Sequence, residues 1–545
     1  MAIIARHLTL SFGLAVAFAA STARPAVVAS ANPGPAPPEL PRVFIDTAYS
    51  HPAGRTISVA AGGDLQAALN AAKPGDVIAL AAGATFTGPF TLPAKSGTGW
   101  IVVRSDAPDS SLPAPGTRID PSYAHALPKL VAASGSVVVA ASGAHHYRFI
   151  GIEIRPKDNV FLYQLVQLGG PTMTSVESLP SDVILDRCYL HGDPQRGLRR
   201  AIVLNSRSTA VIDSYISDCK EVGNDSQALA GWGGPGPFKI VNNYLEGAGE
   251  NILFGGGDPW IANLVPADIE IRRNQFSKPR SWRIGDPTYT HTPWSIKNLF
   301  ELKNARRVLI ERNVFEYNWP GAQNGFAILF TVRNQDGTAP WSVVEDVTFQ
   351  SNLVRHVGSG INILARDDLR PSQQGRRIRI AHNLFDDVGG TWGSGRLFQL
   401  LAGSADIAIE HNTAQQTENI INGDGEPHVR FAFRDNITPH GPYGIIGTGT
   451  GVGRPTIAAY FPGAIIAKNV IIGGNPAQYS ASNFFPRSVD EVGFVDRARG
   501  DYRLARSSRY RRSGSDGTDP GVDFEASFPL IAAPMLTSQS IEGRR

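Results

Sequence analysis

Cysteine, methionine and charge are all scarce in this chain. Its 545 residues include two cysteines, Cys188 and Cys219, three methionines, and only 18% Asp, Glu, Lys and Arg. The net charge of +3 is too small for a protein that neutralises phosphates. No basic run with interleaved aromatics appears, which excludes nucleic acid as a partner. Long apolar runs are missing as well. The one at the start, Leu8 to Ala20, is too short to span a bilayer, and no later stretch reaches the needed length.

What the chain has in quantity is turn chemistry, with 57 glycines and 39 prolines, the make-up of a β-rich protein with a sizeable core. Arg6 and His7 precede the short apolar run, and small-residue cleavage sites follow at Ala19, Ala23 or Ala31. This pattern reads as a signal peptide over residues 1–31, an uncleaved anchor being the alternative. Residues 32–55 read as a linker, opened by the stiff, extended NPGPAPPELPR (32–42). The expectation is a secreted or periplasmic monomer, cell surface included, with no membrane span once the signal is removed.

Residues 62–95 open the folded part. Asp64 is placed to cap a short helix whose apolar side holds Leu65, Ala68, Leu69 and Ala72. Lys73-Pro74-Gly75-Asp76 stops it, and Val77, Ile78 and Leu80 begin a strand. From residue 183 a strand pattern returns ten times, as in VLIERNVF, VTFQSNLV and IRIAHNLF. One aligned column holds Cys188, Ser214, Asn243, Asn274, Asn313, Asn352, Asn383, Asn412, Asn436 and Asn469. The position three residues earlier is Leu, Val, Ile or Phe throughout. A period-two pattern returning every 24 to 39 residues means stacked coils, with Asn amides bonding to the coils above and below. A second strand per coil shows as LFELK (299–303), AILFTV (327–332), INILAR (361–366) and LFQLLA (397–402). In this register Cys219 lies five positions past a ladder residue, roughly 16 Å along a strand from the Cys188 column, too far to bridge.

The helical entry and the winding repeat resemble right-handed parallel β-helix proteins of the pectate-lyase-like superfamily, over about residues 56–525. The resemblance implies an all-β solenoid of about ten or more coils, a right-handed parallel β-helix with an N-terminal helical cap. Its domain is placed at 56–530, with 56–95 as the cap, 501–530 closing the last coil and 531–545 a tail.

Two coils are longest, those ending at Asn313 and Asn352, so their extra residues must project as loops: 278–294 and 334–341. Seven of eight tryptophans fall between 232 and 392. Each alone reads as a pin for a loop, and together they suggest a glycan groove. Trp282, Trp294, Trp319 and Trp341, with Asn362 and Gln399 on second strands, are the candidate substrate-binding residues. Alternation points Glu301 and Lys303 outward, and it sets Arg333 and Arg366 in one column on adjacent coils with Lys303 one coil away. A salt-bridge cluster with Glu301, Asp336, Asp367 and Asp368 is one reading.

The other is an acidic polysaccharide site. Lyases of this fold remove the proton next to a uronate carboxylate and expel the linked oxygen, which needs a base, an acid and a cation. Lys303 is the candidate base, Arg333 and Arg366 the carboxylate forks, and Glu301 a further catalytic candidate. Glu301 with Asp336 is the candidate Ca²⁺ pair. The Glu-x-Ile-Ser-x-Lys-Ser and Arg-His-Gly stretches of alginate- and chondroitin-B-type lyases are absent. So are the Trp-x-Asp-His strand of pectate lyases and the Gly-His-Gly of polygalacturonase-like hydrolases. The expectation is a polysaccharide lyase on a uronate-containing glycan. Its alternatives are a non-catalytic glycan-binding or adhesin β-helix and a polygalacturonase-like hydrolase.

Overall fold

The computed structural model describes residues 34–527. The signal peptide and the tail (531–545) therefore lie outside the described residues. Among these, three long parallel sheets of 14, 12 and 13 strands dominate, and sequential strands never neighbour one another within a long sheet after the first coil. The chain winds round and each coil stacks on the one before. This is a parallel β-helix.

Each coil carries three strands, not the two that alternation alone picks out. What reads as one strand, VLIERNVF, is two: Ala305–Glu311 in the first sheet and Val314–Asn318 in the third. The break is a single left-handed residue before every rung of the Asn column. Arg187, Asp213, Asn242, Arg273, Arg312, Ser351, His382, His411, Asp435 and Lys468 all have φ between 48° and 60°. The α-left geometry turns the chain from one sheet to the next without a loop. His382 and His411 stack in this column, with ring centroids 4.9 Å apart.

The Asn column is a continuous hydrogen-bond ladder. Asn313 Oδ1 accepts the backbone N–H of Asn274 at 2.9 Å and its Nδ2 at 3.0 Å. Asn313 Nδ2 donates to the Ile271 carbonyl and to Asn352 Oδ1, each at 3.0 Å. The same pattern repeats through Asn352, Asn383, Asn412, Asn436 and Asn469. At the upper end Ser214 substitutes its hydroxyl, which accepts the Cys188 N–H at 3.0 Å. At the lower end Asn483, only 14 residues on, supplies one more rung.

Inside the coil, Ile, Leu, Val and Phe from all three sheets form one buried core, with Phe276, Phe315 and Phe349 following one another down its length. Leu65, Ala68 and Leu69 of helix α1 (Leu65–Ala71) join it, and Asp64 caps that helix by accepting the Ala67 N–H at 2.9 Å. Near the other end Phe461, after helix α2 (Arg454–Tyr460), enters the same core. Cys188 and Cys219 are both free and buried, and burial pushes the Cys188 thiol up to about 12.

Two terminal segments lie along the outside of the stack. Residues 501–527 run back along the outside of the stack. Tyr502 packs beside Leu353 and Leu384, Val522 N–H reaches Thr413 Oγ1, and Ser527 Oγ reaches the His382 carbonyl. Residues 34–48 lie against the first sheet, not free of it. No helix among the described residues is long and apolar enough to cross a membrane.

Candidate functional site

The outward face of the second sheet carries most of the sequence-selected residues. Strand alternation puts Phe300 and Leu302 in the core and leaves Glu301 and Lys303 outside it, as on the neighbouring coils. Gly255, φ 96°, lies one coil above Lys303. A Cβ there would sit 2.7 Å from the Lys303 Cβ, so the lysine occupies space that only glycine leaves.

Glu301 is 2% exposed and shared out among neighbours. It accepts from Thr331 Oγ1 at 3.1 Å and Asn298 Nδ2 at 3.2 Å, with Lys303 Nζ 3.9 Å away. Lys303 has only that distant carboxylate and Gln335 Oε1 at 3.5 Å. Arg333 is held differently. Its guanidinium meets Asp367 at 3.2 Å and Asp368, and although burial works against its charge these two carboxylates raise its pKa. Arg366, in register with it one coil on, is 42% exposed with Glu426 at 4.0 Å. The three cations thus share a face, but each has its own acidic neighbour. Arg333 is the one locked in place.

Upstream on the same face is a chain of contacts that sequence reading passed over. Arg200 donates to Gln227, Gln227 donates to Glu250, and Glu250 pairs with Lys297, all within 2.6 to 2.8 Å. Burial pushes the Glu250 carboxyl up against the pull of Lys297, and Glu301 adds to the push. For Lys297 burial opposes the charge, yet Glu250, Glu301 and Asp225 outweigh it and raise its pKa. Downstream, Asn362, Gln399 and Asn422 occupy one outward column on three successive coils. The side-chain oxygens of all three are buried and have no hydrogen-bond partner. Asn422 belongs to the NIING strand and was legible as the next member of the column.

The long 278–294 loop is anchored by Lys278, whose buried ammonium donates to the carbonyls of Gly247, Ala248 and Gly249. It brings Trp282 and Trp294 against Trp319 and Trp392 in one apolar cluster beside a cleft of about 620 Å³. Lys220 lies 5.4 Å and 5.1 Å from the ring centres of Trp282 and Trp294. Trp294 Nε1 is buried without a partner. Trp341 stands apart from this group: its Nε1 donates to the Leu264 carbonyl at 3.0 Å and pins its own loop. Asp336 accepts the Asp258 N–H at 3.0 Å. No contact joins Asp336 to Glu301, and among the described residues no three His, Cys, Asp or Glu side chains gather to hold a metal ion.

A second column of left-handed residues, four positions past the ladder, places Tyr317, His356 and Asp387 on successive coils of the third sheet. His356 Nδ1 and Trp392 Nε1 both lie 2.7 Å from Asp387 Oδ2, and Tyr317 stacks on His356. The ladder-plus-four spacing was the signal that would have found them.

No family model matches the chain, and no curated protein does. Solved structures that it resembles include a mannuronic-acid-specific polysaccharide lyase of family 6 from human gut microbiota. That pair shares 14% identity over 80% of this chain and 83% of the other, with a TM-score of 0.42. An alginate lyase from Paenibacillus sp. str. FPU-7 shares 14% identity over 79% and 99%, at 0.30. A pectate lyase shares 15% over 86% and 96%, at 0.26. At such identities and scores the likeness bears on nothing beyond the fold.

Proposed function

We propose that the protein is a carbohydrate-active β-helix, a polysaccharide lyase that holds an acidic, uronate-containing glycan on the outward face of the second sheet. The observation that carries this reading is the column Asn362, Gln399 and Asn422, in line with Glu301 and beside Lys303. Three buried amide oxygens without partners each cost about 1–3 kcal/mol unless something donates to them. Sugar hydroxyls, presented along an extended chain, are donors of that kind. The exposed guanidinium of Arg366 suits a carboxylate on the same chain.

In the elimination, Lys303 in its neutral form takes the proton next to the uronate carboxylate. The electron pair left behind forms the ring double bond, the bond to the linked oxygen breaks, and that oxygen takes up a proton from water. Arg366 neutralises the carboxylate while charge builds on it. Asn362, Gln399 and Asn422 orient the chain. Glu301 and Asp336 are turned to separate partners, and no step runs through calcium. The test is purified protein on a panel of uronate polysaccharides, followed by the ultraviolet absorbance of the unsaturated product. Absorbance gain that disappears in Lys303→Ala supports the reading, and reducing-sugar release without absorbance points to a hydrolase.

A second reading, a non-catalytic glycan-binding surface, is favoured by Arg333, which Asp367 and Asp368 already occupy. Retained glycan without turnover is its signature.

A further inference from the structure

The proline-rich segment after the signal region has a period that matches the coil stack. Pro35, Pro38 and Pro41 recur every third residue, and each is followed by a residue with a free N–H: Ala36, Glu39 and Arg42. Those three amides donate to Asp406 Oδ1 at 2.9 Å, Asp346 Oδ1 at 3.0 Å and Asp268 Oδ1 at 2.8 Å. The register of the first sheet runs Asp268, Arg307, Asp346, Arg377, Asp406, Arg430 on six successive coils. The aspartates are therefore two coils apart.

Three residues of a polyproline II helix rise roughly 9.3 Å. Two coils of a parallel stack rise roughly 9.6 Å. The two repeats agree closely enough for one contact per turn to stay in step over the whole run. The prolines form the ridge that faces the protein: Pro41 is buried and Pro35 and Pro38 are half-buried, while Ala36, Pro37, Glu39 and Leu40 are exposed.

The docking side is built for this. All six residues of the column are left-handed, with φ from 52° to 58°, and stand out at the edge of the sheet. Each aspartate is held by the arginine one coil on, Arg307, Arg377 and Arg430, at 2.6 to 2.7 Å. One oxygen still accepts from the strap. Beyond Arg42 the contact continues, with Lys239 Nζ donating to the Ile45 carbonyl at 3.0 Å and Arg148 to that of Ala48 at 3.2 Å. Ile45 packs on Ile184, Ala210, Ile212 and Val241.

We propose that this corner of the first sheet is a docking groove for a proline-rich left-handed helix with one free N–H in every third residue. Its occupant is the chain's own segment 34–48, which fastens the coils together along the axis. The recognition lies in the match of periods, so the segment binds as a ligand would and does not depend on its covalent link. Each cleavage site read at Ala19, Ala23 or Ala31 precedes Gly34 and leaves the strap on the mature protein.

Two measurements on the full chain test this. Hydrogen exchange on the intact protein is expected to show the Ala36, Glu39 and Arg42 amides protected. In Pro38→Gly/Pro41→Gly that protection falls by about tenfold or more while the coil amides hold theirs. Second, a protease site inserted between Ala53 and Gly54 is cut in the folded protein. Co-elution of the released N-terminal piece with the solenoid supports docking. Separate elution of that piece, or exchange of the three amides at the rate of an unstructured peptide, overturns the proposal.

Discussion

Replacing Asn313 by alanine tests the ladder that holds one coil on the next. Asn313 Oδ1 is the acceptor for the buried Asn274 backbone N–H, and Asn313 Nδ2 is the donor to the Ile271 carbonyl. Both main-chain groups belong to the coil above and lose their partner when the amide is cut away. Asn274 Nδ2 keeps the Ile240 carbonyl, and Asn352 Oδ1 keeps the Asn313 N–H, so neither is stranded. Two buried orphans at about 1–3 kcal/mol each put the cost of Asn313→Ala at about 2–6 kcal/mol. Asn313→Ser is the internal control, because Ser214 already serves as a rung by accepting the Cys188 N–H through its hydroxyl. Serine restores the acceptor and not the donor, so its cost is expected at about half that of alanine. Coils of a solenoid unfold as coupled neighbours, so urea unfolding is followed together with hydrogen exchange at Asn274. If alanine and serine variants both stay within about 0.5 kcal/mol of the parent, with the Asn274 amide still protected, the ladder reasoning is refuted.

Three further outcomes follow from the same geometry. His428 is fully buried, accepts the Ser404 N–H at 3.0 Å through Nδ1, and is pushed by burial down to about 4. Its folded pKa lies below the unfolded value, so its contribution is full above about pH 6.5 and lost as pH falls through 4, about 3 kcal/mol in all. Thermal melts from pH 7 to pH 4 should show a steeper fall in the parent than in His428→Gln, and parallel curves would count against it. At the left-handed position Ser351, φ 55°, valine is expected to cost about 1–2 kcal/mol in urea unfolding and glycine to be neutral or stabilising. On the second sheet, Asn422→Ala is expected to raise KM for long oligosaccharides and leave short ones unchanged. Equal effects on both lengths would remove Asn422 from the groove.

The winding and its ladder were legible because they rest on residues that repeat in one column. Ile or Phe three places before an Asn, eight times over, has few alternatives to a stack. The third sheet was hidden for a local reason: its strands follow the first without a turn signal, since a single non-glycine residue such as Arg312 or His382 makes the corner. No composition cue marks it. Asn483 was missed because it reaches the ladder from a loop after only 14 residues. Site residues were legible as columns more than as partnerships. Alternation put Glu301, Lys303, Asn362 and Gln399 outside the core, and the salt-bridge reading named Asp367 and Asp368, which hold Arg333 from one coil on, but the Arg200–Gln227–Glu250–Lys297 chain had no such signal.

The same contrast explains why the two surfaces of this solenoid differ. In the first sheet's corner column acid and base alternate from coil to coil, so every carboxylate has a guanidinium within 2.7 Å and the surface is closed electrostatically. What it still offers are oxygens for backbone N–H, and the strap takes them. On the second sheet the column runs Glu301, Leu329, Asn362, Gln399, Asn422, with no such alternation. Unlike the amides of the Asn ladder, those of Asn362, Gln399 and Asn422 are not bonded rung to rung, and their oxygens are unpaired. Where the ladder pairs its amides rung by rung, this column leaves an oxygen unpaired on three coils running. An unmet demand of that kind is expected where a ligand completes the surface. Substituting Gln399 and Asn422 together by leucine removes the demand. The double variant should be as stable as the parent or more so, and should have lost retention on every acidic glycan that the parent holds. A variant that is destabilised, or that binds as before, would place those amides in structure and not in recognition.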